Sequence, residues 1–66
     1  MKIRVNNQIV ECKEYATLQD VSSQLQLPEK GVAVAVNNQM IPRSQWSTHM
    51  MNESDSLVII KAACGG

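Results

Sequence analysis

The strongest strand signal in the sequence, Ser56 to Ala62 centred on Leu57-Val58-Ile59-Ile60, comes almost at the end of the chain. A sheet completed by its last strand must place that strand among strands laid down earlier. A crossover connection lets it run parallel to the first strand, with both in the middle of the sheet. The remainder of the sequence supplies the other parts of such a sheet in a readable order.

Met1 to Asn6 alternates, with Met1, Ile3 and Val5 on one side and Lys2 and Arg4 on the other, the period of a half-buried strand. Asn6-Asn7 follows, and Asn tolerates the positive φ that tight hairpins need. Gln8 to Cys12 is the returning strand. Val10 and Cys12 point inward there, which leaves Ile9 on the wrong side and the register open. Thr17 is a good helix N-cap, and Asp20 three residues on resembles a capping box. Its carboxylate stands at the positive end of the helix dipole. Leu18, Val21 and Leu25 recur at helical spacing, while Gln19, Ser22, Ser23, Gln24 and Gln26 are assigned to the wet side. Leu27 folds back on the core, Pro28 stops the helix there or just before, and Gly31 supplies a turn.

Val32 to Val36 is apolar throughout, and periodicity alone allows a strand or a buried helical segment. Its short length and the flanking Gly31 and Asn37-Asn38 favour a strand. A brief strand from Gln39 to Ile41 is ended by Pro42, Ser44-Gln45-Trp46 is a short helical turn, and His49 to Asp55 is a loop with a turn at its end. The order β–β–α–β–β–β predicts an α+β domain. The expected architecture is a β-grasp, a mixed four- to five-stranded sheet with one helix on one face. It spans residues 1–62, with 63–66 as a flexible C-terminal tail.

Composition narrows the function. Six basic and six acidic residues cancel without forming a basic stripe, which argues against nucleic acid and against an anionic membrane surface. The N-terminus lacks an apolar signal stretch, no segment approaches a membrane span, and Cys12 and Cys64 are too few for a stapled secreted domain. The expectation is a cytoplasmic protein with reduced thiols. A chain of 66 residues has little room for an enclosed enzyme pocket, since ligand sites run to roughly 300–1,000 Å³. No nucleophile, base or metal constellation is visible, so the chain is not expected to be an enzyme or to hold a cofactor. His49 reads as a solvent-exposed loop residue, Cys12 as a small buried hydrophobe, and Trp46 as cover for one edge of the core. Met40, Met50 and Met51 fit either core filler or an adaptable docking surface.

After the last strand comes Lys61-Ala62-Ala63-Cys64-Gly65-Gly66. In an arbitrary protein a terminal Gly-Gly is most often a frayed end. Here it follows a compact domain order with no charge after Lys61. Residues without Cβ fit a narrow channel, and the four beyond Ala62 reach roughly 13–14 Å when extended. A partner can therefore draw the Gly66 carboxylate to ATP and activate it by adenylation. A sulfur nucleophile then converts it to a thiocarboxylate. Cys64 is read as a tolerated tail residue rather than a nucleophile, because a reactive thiol needs surroundings that lower its pKa.

The whole chain resembles the thiamine-biosynthesis sulfur carriers of the ThiS family. The resemblance rests on its length, the Met-Lys-Ile-Arg-Val-Asn start, Val32-Ala33-Val34-Ala35-Val36-Asn37-Asn38, Ile41-Pro42-Arg43-Ser44-Gln45-Trp46, Asp55 to Ile60 and the terminal Gly65-Gly66. It departs where many such turns read Gly-Asp, since Ser54 precedes Asp55. The resemblance implies a ThiF-type adenylyltransferase acting on Gly66 and a persulfide donor fed by a cysteine desulfurase. It also implies a thiazole synthase (ThiG-type) as recipient. Gly65 and Gly66 are the functional residues that carry over, in tail recognition and as the site of adenylation and thioglycine formation. The competing functions are a carrier for molybdopterin or another sulfur pathway, a ubiquitin-like modifier, and a binding module with an inert tail. A helix on only one face also leaves the other sheet face open, where Val58 and Ile60 would form a docking patch.

Overall fold

The computed structural model describes residues 1–28 and 30–61. Its elements are β1 (Lys2–Val5), β2 (Gln8–Glu11), α1 (Leu18–Gln24), β3 (Val32–Val36), β4 (Gln39–Met40), a 3₁₀ turn (Arg43–Gln45) and β5 (Ser56–Lys61). They form one five-stranded sheet in the order β2-β1-β5-β3-β4. β5 lies parallel to β1 through Arg4↔Ser56 and Val5↔Leu57, and antiparallel to β3 from Val32↔Lys61 to Val36↔Leu57. The last strand is thus the middle one, as its apolar sequence requires.

Both hairpins turn on Asn pairs in the left-handed region. Asn6 and Asn7 have φ of 47° and 71°, and Asn37 and Asn38 of 51° and 70°, the signature of the tight turns whose twist suits paired strands. The first turn fixes the register that the sequence left open. Ile3 lies opposite Val10 and Arg4 opposite Ile9, so Val10 joins the core side and Ile9 is turned outward, 62% exposed. Cross-strand partners share a face, and the polar-apolar alternation of β1 therefore decides where Ile9 goes.

The helix begins with a complete capping box. Asp20 N–H donates to Thr17 Oγ1 at 3.1 Å, and Thr17 N–H donates to Asp20 Oδ2 at 3.0 Å. That second bond is the main reason the Asp20 carboxyl lies below its ordinary value. The helix ends at Gln24, before Pro28 can act, because Gln26 adopts φ 57°. The N–H of Leu27 then reaches Ser22 O at 3.0 Å and that of Gln26 reaches Ser23 O at 3.1 Å, which is a Schellman ending with Gln where Gly is usual. Ser22, assigned to the wet side by spacing, is buried; its hydroxyl donates to Gln19 O at 2.8 Å, so it enters the core with its polar group satisfied.

The helix packs on one side of the sheet around Ile3, Val5, Leu18, Val21, Val34, Val36, Met51 and Leu57, with Leu25 and Leu27 partly buried against them. Trp46 is 1% exposed and is a full member of the core. Its indole N–H donates to Ile41 O at 3.0 Å, which allows a polar atom to be buried without penalty. Both sheet edges are blunted: β4 is two residues long, and Gln24 Nε2 donates to the Glu11 carbonyl of β2 at 2.8 Å.

Candidate functional site

The segment expected to carry the chemistry, 63–66 with Cys64, Gly65 and Gly66, lies outside the described residues, as does Ala62 at the expected end of the last strand. What the structure places is its anchor, since Lys61 ends β5 opposite Val32 of β3. The described chain therefore ends on the middle strand of the sheet, at the end where β3 begins.

The anchor is fastened by side chains. The last backbone bond between β1 and β5 runs from Asn6 N–H to Leu57 O at 3.0 Å. The Asn6 side chain then extends that ladder, its Oδ1 accepting from Ile59 N–H at 2.9 Å. On the other side, Asn37 Oδ1 accepts from Ser56 N–H at 3.0 Å while its amide donates to Asp55 Oδ1 at 3.0 Å. Asp55, 8% exposed, also accepts from Asn52 N–H through Oδ2 at 2.7 Å. This buried carboxylate joins the β3–β4 turn, the loop before β5 and the first residue of β5. Ser54 precedes it with φ 70°, a conformation that favours glycine.

The sheet face opposite the helix carries an apolar patch running toward the tail. Ala35 is paired with Val58 on one side and Met40 on the other, and Ala33 with Ile60, so these side chains share the outer face. Met40, Val58 and Ile60 are 55%, 39% and 49% exposed. Ile9 lies farther across this face beside Arg4. Of the three methionines in question, Met51 is core filler, whereas Met40 and Met50 are exposed.

The structure also places Cys12 and His49. Cys12 is buried, and burial is the main cause that pushes its thiol above the ordinary value, although the N-terminal ammonium opposes the shift. A protonated, covered thiol is a poor nucleophile. His49 is half-buried rather than fully exposed, and among the described residues no three His, Cys, Asp or Glu groups are placed to hold a metal. No helix among them is long and apolar enough to cross a membrane.

The side-chain clamps at Asn6, Asn37 and Asp55 were not visible in the sequence as clamps. The two asparagines were legible only as turn formers, and Asp55 only as part of a turn. A hint existed in the placement of Asn, rather than Gly, at the first position of each hairpin turn, since Asn adds an acceptor to the permitted φ.

Comparison with known proteins gives the family. The family model for the ThiS family matches residues 3–66. The chain belongs to the ThiS family. Sulfur carrier protein ThiS of Escherichia coli (strain K12) is 32% identical over 66 residues, covering 100% of both chains. The crystal structure of a thiamine biosynthesis protein (ThiS) from Geobacter metallireducens shares 19% identity and a TM-score of 0.85, again over 100% of both chains. That likeness is one of fold, and it makes the five-stranded mixed sheet with its single helix the ThiS β-grasp.

Proposed function

We propose that this ThiS-family protein is a sulfur carrier in thiamine biosynthesis, with the Gly66 carboxylate as its working group. The observation that carries this reading is the family match, which runs through the Gly65-Gly66 end and not over the globular part alone. The fold supports it, because the segment follows the central strand of the sheet. The fold contributes attachment and recognition, and the enzymes that bind the carrier supply the catalysis.

The chemistry has three steps. A ThiF-type enzyme lets the Gly66 carboxylate attack the α-phosphorus of ATP, releasing pyrophosphate and leaving a glycyl adenylate. A persulfide, fed by a cysteine desulfurase, attacks the activated carbonyl and expels AMP. A thiol then cleaves the donor's S–S bond, and the thiocarboxylate remains on the carrier. Thiazole synthase accepts that sulfur into the thiazole ring. Gly65 and Gly66 are suited to a channel too narrow for a Cβ, and residues 63–66 act as the tail of a domain spanning 1–62. A compartment that keeps thiols reduced, the cytoplasm, suits Cys12, Cys64 and the thiocarboxylate alike.

The outer face of the sheet is the natural contact for an enzyme that holds the tail, because Val58 and Ile60 immediately precede it. Deleting Gly66 is the direct test. ATP–pyrophosphate exchange with the ThiF-type enzyme of the same host is expected with the full chain and abolished by the deletion. Exchange that survives the deletion would remove Gly66 from the mechanism.

A further inference from the structure

We infer that a basic notch between α1 and the 3₁₀ turn, built on Arg43 and Lys30, receives a carboxylate side chain from the enzyme that draws in the tail. The inference rests on the carrier function proposed above and extends it to a second point of contact. The notch is an open groove of about 390 Å³ lined by Gln19, Ser22, Ser23, Leu27, Lys30 and Arg43. Among the described residues its lining holds two cations and no carboxylate.

Arg43 is held ready to bind. Its guanidinium carbon lies 4.1 Å from the centre of the Trp46 ring, and that ring is fixed by its own bond to Ile41 O. Nη1 and Nη2 lean on the Pro28 carbonyl at 3.5 Å each, contacts too long to satisfy their donors well. A guanidinium has five N–H donors, so most of this fork remains available. Stacking fixes its plane in advance and lowers the entropy cost of forming a bidentate pair. Covering Trp46 explains the guanidinium's position, but an apolar side chain would cover an indole equally well. It does not explain a second cation, Lys30, lining the same groove with Gln19 and Ser23 at its polar wall.

Location selects the occupant. Pro28 and Lys30 lead through Gly31 into Val32, which pairs with Lys61, the last described residue before the tail. One wall of the notch, at Lys30, is thus two residues from the start of β3 beside Lys61, while the apolar patch occupies the face of the sheet away from the helix. A partner that grips the tail can reach both. An Asp or Glu from that partner complements the notch in charge and, through Arg43, in geometry.

The test is calorimetric titration of the ThiF-type enzyme with the full chain and with Arg43→Gln, Lys30→Gln and the double variant, at low and high salt. Both side chains are exposed, and urea midpoints check that folding is retained. The double variant is expected to raise Kd by at least tenfold at low salt and to flatten its salt dependence, while adenylation at saturating carrier stays unchanged. Arg43→Lys should recover part of the loss, keeping the charge without the fork. Kd within twofold of the parent, with the same salt dependence, would overturn the inference while leaving the carrier function in place. Failure of the parent chain to be adenylated would instead overturn both. Saturable shifts of Arg43 and Lys30 resonances with inorganic phosphate, combined with unchanged enzyme binding, would make the notch a free-oxyanion site and equally overturn it.

Discussion

Replacing Asp55 with Asn changes almost nothing in shape and tests how β5 is held. The carboxylate takes one donor on each oxygen, Asn52 N–H at 2.7 Å and Asn37 Nδ2 at 3.0 Å. An amide offers one oxygen and turns an NH₂ group toward the other donor. Asn37 cannot relieve the conflict by flipping, because its Oδ1 already holds Ser56 N–H. One hydrogen bond to a charged group is lost at a site 8% exposed, worth about 1.5–3 kcal/mol, and the surviving bond becomes a weaker neutral one. A domain of this size has about 3–10 kcal/mol in total, at ~0.05–0.15 kcal/mol per residue. The loss is therefore a large share of the whole. Urea unfolding followed by Trp46 fluorescence should show the midpoint falling by about 1.5–3 M, for an m-value of about 1 kcal/mol/M. A double-mutant cycle with Asn37→Ala should show coupling between the two positions. A loss under about 0.5 kcal/mol for a group whose charged bonds should be worth several times that, or strict additivity in the cycle, would refute the clamp.

Ile60→Asp should leave the unfolding free energy in urea within about 0.5 kcal/mol of the parent, as surface changes do, while weakening binding of the ThiF-type enzyme at least tenfold; unfolding would show that Ile60 belongs to the core. Thr17→Ala should cost about 1 kcal/mol through loss of the helix cap, read by the same urea assay, and an unchanged midpoint would contradict the capping box. Because the Asp20 carboxyl is held below its ordinary 3.8, its contribution is present above that value and disappears as pH falls through the depressed one; Asp20→Asn should flatten this part of the acid stability profile. Gln26→Gly should stabilise by about 0.5–1 kcal/mol, since a left-handed residue at this helix ending costs a non-glycine side chain that much or more, and destabilisation would show that the Gln26 side chain contributes unrecognised contacts.

Most of the sheet was legible because its period is simple. Ile3 and Val5 against Lys2 and Arg4 fixed the face of β1, the Asn pairs marked both hairpins, and the doubly apolar β5 required a central place, which it has. What escaped the sequence was which particular groups meet once the backbone has turned. Ile9 could be placed only once its partner was known to be Arg4. Ser22 looked wet by helical spacing, yet its hydroxyl could be satisfied by Gln19 O and so be buried. Trp46 gave no sign of its depth, because that depends on its indole N–H meeting the Ile41 carbonyl. The helix stop was assigned to Pro28, whereas the left-handed Gln26 ends it first. For the site, the sequence named the end of the chain and the outer face, and the Asn6, Asn37 and Asp55 clamps came only from the fold.

Whether Gly66 carries sulfur is tested most directly by fragmentation mass spectrometry of the terminal peptide, from protein purified out of its own host. Fragmentation is needed because oxidation of any of four methionines closely mimics the exchange of oxygen for sulfur in an intact mass. A sulfur-for-oxygen shift localised to Gly66 is the predicted result. A terminal carboxylate that stays unmodified even in cells deprived of thiamine would contradict it.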